Sequence, residues 1–380
     1  MTTKLMLVIG ARPQFIKTAP VIAQIKGRRS FELLIVHSGQ HYDPEMSSIF
    51  FRELSIPAPS VNLQSGSGSH ARQTARIMMG LENQIIKNKP DMVMVPGDTN
   101  TTLAGALTAA KLCVPVAHIE AGLRSGDTTM PEEVNRRLTD HCSSLLFAPT
   151  RTATRNLAKE GLSKFTYLTG DTMVDALRTV LPILQKHEDG VLEKFGIDVK
   201  DYVLVTLHRP SNVDDLDRLR RIRLALLKVA RKVRVVFLVH PRTRSMLAKL
   251  GTTERSSDAP ILFARPQGYV ETLALLRNAR ALLTDSGGMQ KESFLLHVPC
   301  ITLRSTTEWP ETLVGSANRL LTEPHMIPEA VFAVALDENP GNMIKRLRKP
   351  FGNGHASTKI VTIIEKAIRE RSTLWPSRHR

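Results

Sequence analysis

Short runs of Val, Ile and Leu alternate along the chain with longer stretches whose apolar residues recur at helical spacing, the pattern of βαβ units around a buried parallel sheet. In the first part, Leu5–Ile9, Leu33–His37, Met92–Val95, Val116–Ile119 and Ser144–Ala148 are predicted strands. Between them Phe15–Ile25, Gln73–Asn88, Thr101–Leu112 and Glu132–His141 are predicted helices. A second strand series runs through Tyr202–Leu207, Val233–Val239, Ile261–Ala264, Ala281–Thr284 and Cys300–Leu303. Two Rossmann-like, doubly wound α/β domains fit this pattern better than one large sheet: residues 1–170 and 171–355, with the helical stretch Asp171–His187 crossing between them. Residues 356–380 form a terminal segment whose helix, Ala356–Arg371, is expected to pack back on the first domain. Ligands of such sheets bind beyond the carboxyl ends of the strands, so a cleft between two facing domains is the expected site.

The 380 residues are 42% hydrophobic and 23% charged, enough for sizeable cores. That composition excludes a disordered tail, a collagen-like chain and a disulfide scaffold, and the three cysteines, Cys113, Cys142 and Cys300, fit a reducing compartment. The apolar run Leu5–Ile9 is too short for a signal-peptide core, and no stretch approaches the roughly 20 apolar residues that span a bilayer. A cytoplasmic protein with no membrane partner is expected. The net charge of +16 points first to a phosphate-bearing partner, nucleic acid or something smaller. Its distribution changes that picture. The last forty residues hold ten Lys or Arg against two Glu, Arg218–Arg234 holds eight basic residues and no acid, and the rest of the chain sums to zero. With 5% aromatics and no RRM, KH or helix-turn-helix signature, a nucleic-acid partner is not expected.

Polar clusters fall just after the predicted strands, where this fold presents chemistry. GARPQFIK places Arg12 and Lys17 around the start of a helix, either to receive an anion or as a solvated helix end. SGQHYD, PGDTNTT and the stretch His118–Arg136 follow the next three strands. Asp98 reads as a reactive carboxylate or as the N-cap of the following helix, and Glu132 as reactive or as a favourable charge on a helix N-terminus. Glu120, between an apolar strand and Ala121-Gly122, has no local capping role and reads as functional. In the second half come TLHRPSN, HPRT and TDSGGMQKE; Ser286, Gly287 and Gly288 precede a helix and can hold a diphosphate. Glu292, one turn further, suits a ribose diol or is a surface carboxylate. His208 and His240 end strands and, with neighbouring arginines, resemble a phosphate-facing edge. HExxH, paired CxxC, Walker A, GxGxxG and GxSxG are all absent, so neither a metal nor a nicotinamide cofactor is expected.

In this order, GARPQFIK, QHYD, PGDTNTT, HIEAGLRS, PEEVNR, TLHRPSN, HPRT, TDSGGMQKE, TEWPET and PFGNGHAS resemble the non-hydrolysing UDP-N-acetylglucosamine 2-epimerase family over nearly the whole chain. The resemblance implies two Rossmann-like domains in the GT-B arrangement, a homodimer, a UDP-sugar substrate and no added cofactor. It implies interconversion of UDP-GlcNAc and UDP-ManNAc by elimination of UDP to 2-acetamidoglucal and re-addition. By the same resemblance Asp98, Glu120 and Glu132 are acid–base carboxylates and His208 a further catalytic group. Arg12, Lys17, Gln40, His41, Arg136, His240, Ser286, Gly287, Gly288, Glu292, Arg304 and Glu308 then bind substrate. Ala11 and Gln14 stand where many members have Thr and Glu, a change placed at the cleft edge. QHYD departs from the bacterial stretch that lines a second, activating substrate site, which leaves activation by UDP-GlcNAc open. QKE and TEWPE replace QEE and TERPE, as in archaeal members and in the branch acting on UDP-2,3-diacetamido-2,3-dideoxyglucuronate, which is the alternative substrate. A hydrolysing epimerase and a GT-B glycosyltransferase are further alternatives.

Overall fold

The computed structural model describes residues 2–40, 52–251, 261–335, 341–347 and 349–370. Its chain divides into two compact units, one of residues 1–180 and 349–380, the other of residues 181–348.

The first unit is a seven-stranded parallel sheet of β1 (Thr3–Ile9), β2 (Phe31–His37), β3 (Val61–Asn62), β4 (Met92–Pro96), β5 (Val116–Ile119), β6 (Leu145–Ala148) and β7 (Thr166–Leu168). Spatial order is β3-β2-β1-β4-β5-β6-β7, so the direction of winding reverses between neighbours β1 and β4. The central strands are buried on both faces, which is why Leu5–Ile9 of β1, β4 and β6 read as unbroken apolar runs instead of alternating. The connecting helices are α1 (Arg12–Lys26), α2 (His70–Asn88), α3 (Asn100–Lys111), α4 (Pro131–Cys142) and α5 (Arg151–Lys159). One core forms where Ile77, Leu81 and Ile85 of α2 and Ala104, Ala106 and Ala109 of α3 meet Met6, Val8, Val93 and Val95 of the sheet.

A long helix, α6 (Thr172–Phe195), contains the division between the units at Val180 and Leu181. The second unit is a six-stranded parallel sheet in the order β10-β9-β8-β11-β12-β13, built from β8 (Tyr202–Thr206), β9 (Arg234–Leu238), β10 (Ile261–Ala264), β11 (Ala281–Thr284), β12 (Cys300–Thr302) and β13 (Asn318–Leu320). Here the reversal falls between β8 and β11. Its principal helices are α7 (Leu216–Ala230), α8 (Pro241–Lys249), α9 (Tyr269–Asn278), α10 (Gly287–Leu295) and α11 (Ile327–Ala335).

The terminal helix α12 (Ala356–Arg369) returns to the first unit. Asp175 on α6 accepts hydrogen bonds from the backbone N–H of Ala356 (3.1 Å) and Ser357 (2.9 Å), capping α12, and Arg28 after α1 pairs with Glu365 at 2.7 Å. Among the described residues, no helix is long and apolar enough to cross a membrane.

Candidate active site

In each unit the expected residues gather around the strands where winding reverses, the position at which such sheets leave a crevice for ligands. In the first unit β1 runs into α1, whose Gln14 side chain is buried and fully bonded. Its Oε1 accepts from the N–H of Gly10 (2.7 Å) and Ala11 (3.0 Å), while its Nε2 donates to the Pro96 carbonyl (2.9 Å) and Thr102 Oγ1 (3.0 Å). Gln14 therefore ties the end of β1 to the end of β4; the expectation that it lies at an edge is corrected. An ionised glutamate there would have no hydrogen to offer Pro96.

About one turn along, Lys17 is buried and its ammonium meets the Glu120 carboxylate. Glu120 holds a left-handed backbone (φ 72°), uncommon for a residue with a β-carbon, and its N–H and that of Ala121 both donate to the Phe147 carbonyl at 3.1 Å. The turn beyond β4 is also left-handed at Gly97 (φ 70°) and delivers Asp98. Asp98 is not the cap of α3: that is Thr99, whose Oγ1 accepts from the Thr102 N–H. Instead Asp98 Oδ2 receives Arg136 Nε at 3.0 Å and Nη2 at 2.7 Å, while Asn135 Nδ2 donates to the Asp98 carbonyl at 2.9 Å.

Arg136 turns its Nη1 to Glu133 at 2.9 Å, one helical turn back on α4. Burial acts to raise the Glu133 pKa, but donation from the Ser125 N–H and the Arg136 guanidinium outweighs it and holds the carboxyl below its ordinary value. Glu132, second residue of α4, is half-buried, and its side chain makes no hydrogen bond or ion pair among the described residues. Arg12 stands half-buried at the start of α1. Gln40 is buried beyond β2, its Oε1 accepting from Thr101 Oγ1 at 2.7 Å. His41 lies outside the described residues.

In the second unit the ends of β8 and β11 are joined through Asp285. Its buried carboxylate accepts from the N–H of His208 (3.1 Å) and Arg209 (3.0 Å), from Asn212 Nδ2 (3.0 Å) and from His208 Nδ1 (3.1 Å). Burial works to raise its pKa, yet His208, Asn212 and the Arg209 amide together bring it below the usual carboxylate range. The His208 side chain, 41% exposed, is thus oriented by a buried anion and lies 5.6 Å, ring to ring, from His240. His240 also caps α8, accepting from the Arg242 N–H at 3.2 Å.

Ser286 caps α10, and Gly287 and Gly288 form its first turn without side chains over the N–H groups, an arrangement suited to phosphate oxygens. Glu292 is buried on the same helix, so it is no surface carboxylate. Arg304 and Glu308, both buried, pair at 2.8 Å, and Glu308 reaches the start of α10 so closely that a β-carbon on Gly287 would lie 2.0 Å from its Oε1. The departures QKE and TEWPE prove to be one contact: Lys291 Nζ sits 3.9 Å over the Trp309 ring. Among the described residues, no group of three or more His, Cys, Asp or Glu is placed to hold a metal ion.

Residues that sequence reasoning did not single out are Glu133, Asn135, Asp285 and the buried pair His118–Asp140. The Glu133–Arg136 spacing of three on a helix was the one available signal; the others act through contacts distant in sequence.

Residues 23–365 match the family model described as UDP-N-acetylglucosamine 2-epimerase. A Methanococcus maripaludis protein named UDP-N-acetylglucosamine 2-epimerase homolog is 45% identical over 95% of this chain and 99% of its own length. A Pseudomonas aeruginosa protein named UDP-2,3-diacetamido-2,3-dideoxy-D-glucuronate 2-epimerase is 42% identical over 96% and 99%. The crystal structure of Methanocaldococcus jannaschii UDP-GlcNAc 2-epimerase in complex with UDP-GlcNAc and UDP superposes with a TM-score of 0.88, at 42% identity, over 96% of this chain and 100% of that one. With strand-end carboxylates in one unit, a phosphate-type helix start in the other, and this similarity along almost the entire length, the chain belongs to the UDP-N-acetylglucosamine 2-epimerase family of isomerases.

Proposed function

We propose that the protein interconverts UDP-GlcNAc and UDP-ManNAc by eliminating and re-adding UDP. The observation that carries this reading is the set of carboxylates at the ends of β4 and β5 and the start of α4, two of them set against cations, Glu120 by Lys17 and Asp98 by Arg136. The C2 hydrogen of the sugar is only weakly acidic, so direct removal is slow. In the proposed route a base takes the C2 proton as the C1–O bond breaks and its electron pair leaves with UDP, giving 2-acetamidoglucal. UDP then re-adds at C1 while an acid delivers a proton to the opposite face of C2. Asp98, Glu120 and Glu132 are the groups assigned to these transfers, with His208 assisting. Arg12, Lys17, Gln40, His41 and Arg136 are assigned to the substrate from the first unit. The α10 N-terminus with Ser286, Gly287 and Gly288 is assigned to the diphosphate, and Glu292, His240, Arg304 and Glu308 to the rest of the nucleotide.

The Pseudomonas aeruginosa relative favours a second reading, a uronate in place of the neutral sugar. Charge weighs against it. Lys17 and Arg136 are already committed to Glu120, Asp98 and Glu133, and Glu132 adds a fourth carboxylate, so a sugar carboxylate would enter a region with more anions than cations. Incubation of the purified chain with each UDP-sugar in D2O, followed by NMR, separates the readings. UDP-GlcNAc is expected to give UDP-ManNAc carrying deuterium at C2; no product and no deuterium from it would reject the proposal for that substrate. Asp98→Asn, Glu120→Gln and Glu132→Gln are each expected to lower kcat by about 10²–10⁴-fold while UDP affinity persists. Assembly as a homodimer belongs to the same proposal: Met79 and Ile86 of α2 and Val134 and Leu138 of α4 are exposed apolar side chains available to an interface. Light scattering on the eluted protein tests it.

A further inference from the structure

Beneath the turn that delivers Asp98 lies a fully buried pair, His118 on β5 and Asp140 on α4. His118 Nδ1 is 2.7 Å from Asp140 Oδ1, and His118 Nε2 is 2.7 Å from the Gly97 carbonyl oxygen. A carbonyl oxygen only accepts, so Nε2 carries a hydrogen and donates to it. Asp140 Oδ2 in turn receives the Gly122 N–H at 3.1 Å and the Arg124 guanidinium at 2.8 Å, so both oxygens of Asp140 are engaged, one by His118 Nδ1 and one by these donors. The imidazole is therefore a cross-brace with a hydrogen bond at each end, reaching from β5 to the end of β4 on one side and to α4 on the other.

Two of the three candidate carboxylates, Asp98 and Glu120, hang from this brace. Asp98 is the residue after Gly97, and the Gly97 turn also packs against the other pair: a β-carbon on Gly97 would lie 3.6 Å from both Glu120 Oε2 and Lys17 Nζ. Glu120 is two residues beyond His118, between it and Gly122, whose N–H is held by Asp140. The same helix supplies Arg136, one turn before Asp140, to the Asp98 carboxylate. Arg124, the remaining charge on Asp140, is itself shared with Glu160, so the brace is closed by paired groups.

We propose that His118, held by Asp140, is a positioning residue for epimerisation, fixing the Gly97 and Gly122 turns so that Asp98 and Glu120 keep their places. This rests on the assignment of those two carboxylates as acid–base groups. Both side chains of the brace are fully buried, so it acts through backbone placement, and a misplacement of about 1 Å in such groups can cost 10²-fold in rate.

The test compares purified native protein with His118→Asn, Asp140→Asn and, as reference, Asp98→Asn. Each is assayed with UDP-GlcNAc in D2O for kcat, KM and the ratio of deuterium in recovered substrate to deuterium in product, alongside its thermal midpoint. His118→Asn and Asp140→Asn are expected to lower kcat about 10- to 100-fold with KM within about twofold of native, and to change the deuterium ratio as one face of C2 is served less well than the other. Native kcat and deuterium ratio in both variants, while Asp98→Asn is inactive, would overturn the positioning role and leave the carboxylate assignment standing. An active Asp98→Asn would instead remove the assignment itself. Loss of folded protein in both brace variants, or a lowered midpoint with kcat and the ratio unchanged, would make the pair a stability element only and overturn the proposal.

Discussion

Arg136→Met isolates what a buried cation does in the first unit. The guanidinium, 2% exposed, makes three charge-assisted hydrogen bonds, at 2.7 and 3.0 Å to Asp98 and 2.9 Å to Glu133. Such bonds contribute roughly 1.5–3 kcal/mol each before desolvation is charged against them. The two carboxylates lose unequal amounts. Asp98, with its side chain 27% exposed, can recover water, whereas Glu133, 1% exposed, keeps Ser125 and the looser, half-exposed Arg137 guanidinium at 3.6 Å. Stranding a buried carboxylate in this way costs about 3–5 kcal/mol, and that is the destabilisation expected at pH 7 in urea unfolding followed by circular dichroism. The pH dependence should change sign at this residue. In the native protein the Glu133 pKa lies below its unfolded value, so its contribution is present above about pH 4.3 and is lost as pH falls through the lower, folded value. Without Arg136, burial is the largest remaining influence and lifts the folded pKa above the unfolded one. The variant should then regain stability as pH drops from 7 toward 5, by up to about 1.4 kcal/mol per unit. Adding Glu133→Gln removes the stranded charge and should recover most of the loss. A cost below about 1 kcal/mol at pH 7, or an unchanged pH slope, would refute the reasoning.

Gly122→Ala should lower the thermal midpoint markedly: the backbone is left-handed (φ 82°) and the new β-carbon would lie 2.5 Å from the Ala153 carbonyl and 2.8 Å from Leu157, so overpacking of about 1–3 kcal/mol adds to the backbone cost. Gln14→Glu, the residue many family members carry, removes both donors to Pro96 and Thr102 and buries a carboxylate beside a carbonyl. It should destabilise by about 1–3 kcal/mol at pH 7 and less at pH 5, as read from thermal melts at the two values. With a disulfide reagent at pH 8 the exposed Cys113 should react first and Cys142, whose pKa burial raises, more slowly. Cys300, fully buried and pushed up to about 11 chiefly by desolvation, should react only on unfolding, and early modification of Cys300 would contradict its placement.

The longer strands were legible from their mostly apolar runs, and β5, β10 and β11 have the limits the sequence indicated. β3, β7 and β13 were not, because two or three residues at a sheet edge carry too little apolar signal. The polar clusters after strands located Asp98, Glu120 and Ser286 correctly on strand ends, since chain order and strand order are linked by the winding. What holds these groups could not be read. The Lys17–Glu120 pair joins residues 103 apart, Arg136 reaches 38 residues back to Asp98, and Asp285 meets His208 across 77. Such contacts are set by sheet order and register, which local periodicity does not encode. Gln14 shows the same limit in reverse: as a departure from the family pattern it was expected at the cleft edge, whereas its buried amide serves two donors and two acceptors at once.

Among the described residues, the two basic blocks behind the +16 charge show how their cations are used. On α7, Leu219, Ile222, Leu226 and Val229 face the core, which leaves the intervening arginines and lysines to the other side. There they do local work: Arg218 donates to the Thr322 carbonyl at 2.7 Å, Arg220 pairs with Asp217, Lys232 lies over Phe332, and Arg234, beginning β9, donates to the Gly196 carbonyl at 2.6 Å. On α12, Lys359, Lys366 and Arg369 are exposed, opposite the buried Ile360, Val361 and Ile364. Cations at the strand ends behave otherwise. Lys17, Arg136 and Arg304 are buried and each is set against a carboxylate, so they add nothing to a surface field. The net charge thus includes the solvent faces of α7 and α12, whereas Lys17, Arg136 and Arg304 are balanced at close range, where a pair's geometry and not its sign decides what it can do.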